Sequence, residues 1–191
     1  MFLLLLCIVA NAQETTSEKF SVQNNLELYT GFNFIMTNKP NFEIAKDMSS
    51  YQSIMIGLRY KAFKEMICLQ ADYSLQLPFQ NFNNVYIGGV SIDYALIKFK
   101  QSYISLGIRY QNMFVSFDAN NNGIVDKYSI KNTSSLGPIL RYKNRAFNIE
   151  AGYLFALNKQ KWNSVLNITE LPSDEFSSFI LKFSVNVPLI K

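Results

Sequence analysis

From residue 25 onward, apolar residues recur at every second position rather than at the three- and four-residue spacing of an amphipathic helix. The alternation predicts eight strands, over 25–36, 51–60, 65–77, 85–96, 102–116, 134–142, 146–157 and 176–187. Splitting each strand by parity separates two faces of opposite chemistry. One face carries side chains such as Phe32 and Phe34, Ile54, Ile56 and Leu58, Ile104, Leu106 and Ile108, and Phe179, Leu181 and Phe183, none of them charged. The other carries polar and small residues, among them Gly31, Gly57, Gly89, Gly107, Gly137 and Gly152.

Alternation alone also describes a soluble sandwich. The sizes of the two sets decide against it. A narrow closed sheet has no room inside for so many Leu, Ile, Phe and Tyr side chains, whereas glycines and serines fit there. Bulky residues outside and small ones inside describe an all-β, eight-stranded antiparallel up-and-down transmembrane β-barrel. The lengths agree, since a membrane strand needs about 9–11 residues at a tilt near 45°. Connections alternate between short ones at 61–64, 97–101 and 143–145 and mostly long ones at 37–50, 78–84, 117–133 and 158–175. Short periplasmic turns and longer outer loops produce this asymmetry, and an even strand number places both termini in the periplasm. Tyrosines segregate in the same way. Tyr60, Tyr94 and Tyr142 end even strands on the short-turn side, and Tyr73, Tyr110 and Tyr153 lie towards the other ends of odd strands. They predict two aromatic belts, one at each membrane interface.

The start of the chain adds an address. Residues 1–10 form an uncharged Leu-rich run that leads to Ala10-Asn11-Ala12. This reads as a secretory signal peptide over 1–12, too short to span a bilayer as a helix, although it lacks the usual basic start. A periplasmic segment over 13–24 and a barrel over 25–191 follow. The pattern of strands, loops and belts resembles the eight-stranded outer-membrane barrels of the OmpA and OmpX type. More narrowly, with Asn11-Ala12-Gln13, it is similar to the short outer-membrane beta-barrel proteins of Bacteroidota. The resemblance implies an integral outer-membrane protein of the cell envelope, in contact with membrane lipid and lipopolysaccharide. One departure is the end, Val187-Pro188-Leu189-Ile190-Lys191, where such barrels often finish on an aromatic residue. Phe183 and Val187 would then supply the insertion signal.

Candidate chemistry is sparse. The sequence has no histidine, the usual base for activating a serine or water nucleophile at neutral pH. The lipase, acyltransferase and protease barrels that the resemblance brings to mind rely on one, so no enzymatic activity and no cofactor are expected. Cys68 is the sole cysteine after the signal, which excludes a disulfide within the mature chain. The net charge of +4 is mild and its bases are dispersed, which excludes a nucleic-acid groove. Residues Asp118, Asn120, Asn122, Gly123, Ile124 and Asp126 follow the spacing of a calcium loop, but Ser129 stands where the twelfth ligand should be a Glu. The segment is either an Asn/Gly-rich turn or a weak calcium site.

Each strand places one charged residue on the inner face: Glu27, Arg59, Asp72, Asp93, Arg109, Arg141, Glu150 and Lys182. By register Glu27 meets Arg59 and Arg141 meets Glu150. Asp72 lies near Arg109, and Lys182 closes the ring beside Glu27 or Glu150. The expected interior is a plug of ion pairs, and the expected role is structural or surface-interacting, with a protein partner at the outer loops. Two other readings stay open: a narrow pore or accessory subunit of an outer-membrane transport or secretion machine, and a soluble exported ligand-binding barrel.

Overall fold

A computed structural model of the chain describes residues 26–42, 45, 49–63, 66–76, 84–99, 102–121, 124–166 and 171–187. The signal and the segment over 13–24 lie outside them. The long strands are β1 (Leu26–Thr37), β2 (Ser50–Ala62), β3 (Ile67–Gln76), β4 (Asn84–Phe99), β5 (Ser102–Asn121), β6 (Ile124–Lys143), β7 (Phe147–Ala156) and β11 (Ser178–Val187). Three two-residue strands, β8 (Gln160–Lys161), β9 (Asn163–Ser164) and β10 (Ser173–Asp174), lie in the β7–β11 connection. Each long strand pairs antiparallel with the next, and β1 pairs with β11 from Leu28↔Val187 to Thr37↔Ser178, which closes an eight-strand ring. Closure leaves no long strand of the ring with an unpaired edge, a condition for crossing hydrocarbon.

Polarity runs opposite to that of a soluble barrel. Ile56, Ile92, Leu106 and Leu140 point outward, each at least half exposed, while Arg59, Arg109 and Arg141 are wholly buried inside. An apolar band of this size facing water would be a large aggregation hazard; facing acyl chains it is the required surface. The glycines of the inner face allow close approach between strands. A Cβ at Gly137 would run into the Tyr153 carbonyl of β7. Beside it the β6–β7 ladder skips from Leu136↔Phe155 to Ile139↔Gly152, at Pro138, whose ring nitrogen has no hydrogen to donate.

All eight expected strands are present, but β5 and β6 run well past their expected ends. The β5–β6 ladder continues from Val115↔Ile130 to Asn121↔Ile124, where a loop over 117–133 was expected. The cause is a β-bulge. Register shifts between Met113↔Thr133 and Val115↔Ile130, and Asn132 takes φ of 57°, a left-handed conformation that Asn tolerates. Below the bulge Thr133 and Ser135 face inward; above it Tyr128 and Ile130 do. A strict two-residue period loses phase at that step and reads the continuation as loop. Asn158 holds the irregularity from the side, donating to the Asn132 carbonyl at 2.7 Å and accepting from the Ser134 amide at 2.7 Å.

Candidate functional site

The barrel interior has two chemically distinct zones. The first begins at the short-turn mouth, where the Glu27 carboxylate faces Lys143 Nζ at 2.5 Å, Lys61 Nζ at 2.6 Å and Arg59 Nη1 at 3.3 Å. Arg59 lies over the Tyr29 ring, 4.7 Å from its centre, and donates to Gln70 at 3.2 Å and Asn186 at 3.0 Å. Gln70 donates at 3.3 Å, and the Tyr29 hydroxyl at 3.0 Å, to Asp72 Oδ2. Asp72 is the hub of the middle layer. Arg109 grips it with both terminal nitrogens, at 2.9 and 2.5 Å, and Lys182 reaches it across the lumen at 2.8 Å.

Arg109 also lies 3.6 Å from Glu150. Glu150 accepts from Arg141 at 2.5 and 3.1 Å, and Arg141 bonds Asp93 and donates to Ser91 Oγ at 3.0 Å. One connected set of contacts therefore runs from Glu27 to Asp93. The absence of a side chain at Gly89 makes room for it, since a Cβ there would meet the Arg109 guanidinium. Charges this deep persist only when paired and hydrogen-bonded on most sides. Guanidinium groups suit such sites because one planar fork serves two carboxylates at once, as Arg109 and Arg141 do.

The second zone caps the other end. Ile35, Val85, Ile87, Val115, Ile130, Leu154 and Ile180 line that stretch of lumen, all buried. Phe42, from the β1–β2 connection, sits over them among the rings of Tyr128, Trp162 and Phe117, with centroids at 5.1, 5.3 and 6.3 Å. The buried carboxylate of Asp174 ties two connections together. It accepts from Trp162 Nε1 at 2.7 Å and from the amides of Asn41 at 2.7 Å and Phe42 at 3.3 Å.

The eight inner charges named from the sequence thus share one network. Lys182 lies directly opposite Glu150 in the ladder, and its ammonium reaches Asp72 across the ring, a partner that register alone does not suggest. Sequence reasoning missed Tyr29, Lys61 and Lys143. Tyr29 breaks the rule of small inner residues, and the two lysines sit at turn positions that look solvated. The aromatic cap was missed as well, since it depends on the phase change at the bulge and on loop residues.

The tyrosines of the belts all lie on the outer surface. Tyr73, Tyr110, Tyr142 and Tyr153 are exposed, and Tyr60 and Tyr94 are half-buried. The calcium-loop segment is a β-hairpin. Asp118 pairs in register with Lys127 and Ala119 with Asp126, so Asp118 and Asp126 occupy opposite faces and are not brought together. Asp126 is instead buried against the Ser164 hydroxyl and the Leu166 amide. Asn122, with the side chains of Asn120 and Ile124, lies outside the described residues. Among the described residues no three His, Cys, Asp or Glu side chains are placed to hold a metal ion.

The chain matches no protein-family model, and no curated protein matches it. Its fold is similar to that of neisserial surface protein A (NspA), with 15% identity, 85% of this chain and 97% of that chain covered, and a TM-score of 0.50. It is also similar to outer membrane protein AlkL in lipid bilayers, with 13% identity, coverages of 94% and 98%, and a TM-score of 0.47. A third likeness is to outer membrane protein H (OprH) from P. aeruginosa, with 16% identity, coverages of 84% and 99%, and a TM-score of 0.41. The likeness to NspA, together with the closed ring, shows the architecture of a small eight-stranded outer-membrane barrel.

Proposed function

We propose that this barrel is an outer-membrane protein with a sealed interior, working as a structural or surface-interaction element through the connections at its capped end. The observation that carries the reading is the lumen itself, where buried ion pairs and an aromatic cap occupy successive zones of the interior. An eight-stranded barrel is just wide enough for side chains to fill it. A water-filled path would need these pairs separated against their own attraction. Reconstituted protein in planar bilayers is therefore expected to give no steady conductance; long-lived open channels would reject the seal and favour a narrow pore. Retention by membranes through carbonate extraction and heat-modifiable mobility on a gel are expected alongside, and their loss would reject the membrane barrel.

Support for a surface role comes from the capped end. Val165 and Leu166 are exposed at 68% and 55% beside the projecting β5–β6 hairpin, where Val165 donates to the Lys127 carbonyl. Adjacent exposed apolar side chains above a membrane are a common mark of a contact surface. Substituting both by serine should leave the barrel intact and reduce cross-linking to its neighbours on native cells. Unchanged cross-linking would remove this patch from the interaction.

A further inference from the structure

The charged residues of the chain sort into four groups by their position along the sequence. The lumen holds four acids and four bases: Glu27, Asp72, Asp93 and Glu150 against Arg59, Arg109, Arg141 and Lys182. The long connections, over 38–49, 77–83, 117–133 and 157–177, carry six bases and seven acids, and the two chain ends carry two of each. The three short connections, over 61–66, 97–101 and 143–146, hold Lys61, Lys64, Lys98, Lys100, Lys143 and Arg145 against Glu65 alone. One rim therefore accounts for the whole positive excess of the +4 chain. Lys64, Glu65 and Lys100 lie outside the described residues and enter through the sequence.

The same rim is apolar on its outer side. Phe63, Ile97 and Phe99 are exposed at 48%, 51% and 53%. A register shift between Ala95 and Ile97 sets Leu96 and Ile97 outward in succession, next to exposed Lys98. Lys61 and Lys143 turn into the mouth towards Glu27, whereas Lys98 and Arg145 are exposed at the rim. Aromatic and aliphatic side chains interleaved with bases match a headgroup boundary, where apolar stems rest on acyl chains and cations reach the phosphates. A hydrated acidic polymer would offer the exposed Phe63, Ile97 and Phe99 nothing.

We propose that the short-turn rim is a binding surface for anionic phospholipids, Lys98 and Arg145 holding headgroup phosphates in the leaflet on the side of the chain ends. This rests on the membrane-barrel reading. Clustered bases near such a surface contribute substantially per residue and fade with ionic strength.

The test uses the full chain, folded into phosphatidylcholine vesicles that contain a minor fraction of spin-labelled phosphatidylglycerol. At low salt the labelled anionic lipid should be enriched around the barrel roughly threefold over labelled phosphatidylcholine. The preference should disappear at high salt and in the double variant Lys98→Gln, Arg145→Gln. Equal enrichment of both lipids by the native chain, or undiminished preference in the double variant, would overturn the proposal. So would a variant that loses sedimentation with cell-wall polymer while keeping its lipid preference. Heat-modifiable mobility, read on the same samples, separates the two inferences: if it persists while lipid preference is absent, the barrel stands and the rim proposal falls.

Discussion

Arg141→Ala is expected to destabilise the folded barrel by about 3–5 kcal/mol, because it strips two buried carboxylates of their partner at once. Arg141 bonds both Asp93 on β4 and Glu150 on β7, so truncation removes the ion-pair partner of Asp93 and leaves Glu150 with the more distant Arg109. Denaturant unfolding from detergent micelles measures the loss. A double-mutant cycle with Glu150→Ala should return a coupling of about 1–3 kcal/mol, since Glu150 retains Arg109 at 3.6 Å when Arg141 is gone. A coupling near zero would mean that the lumen charges are solvated one by one.

The second large effect belongs to the outside. Leu106 lies on β5 opposite Tyr94 and Leu140 and is half exposed. Leu106→Arg should cost about 2–4 kcal/mol in a bilayer, whereas Leu96→Arg, close to the short-turn rim, should cost about 0–1 kcal/mol. The contrast between depths is the informative quantity. Equal, small penalties at both positions would show that this face does not contact hydrocarbon.

Strand existence and facing were legible because a two-residue period needs no tertiary knowledge. Each long strand keeps its parity for at least eight residues, and a single slip would have turned Leu or Ile into the lumen. The short turn between β6 and β7 is why Arg141↔Glu150 could be paired on paper, whereas Glu27↔Arg59 followed from the matching ends of two strands joined by a long connection. What lay beyond reach was geometry across the ring. Lys182 and Asp72 sit on strands separated by two others, so no alternation pattern links them. The bulge at Asn132 was hidden for another reason: its left-handed φ is permitted to any Asn in a turn-rich stretch. Asp174 and the amides of Asn41 and Phe42 likewise come together only when two connections fold over the same opening.

The pairing of the first strand with the last sets a schedule for the protein's life in the cell. Until Ser178–Val187 has been made, β1 and β7 each have a free edge. A growing chain thus has no fragment that satisfies its own backbone in hydrocarbon, and the two strands that must meet are separated by nearly the whole sequence. Closing so long a loop is slow compared with forming the hairpins between. Until that pairing forms, the outward Leu, Ile and Phe side chains have no closed ring to carry them into hydrocarbon. The docking of β11 on β1 is the pairing that completes the ring.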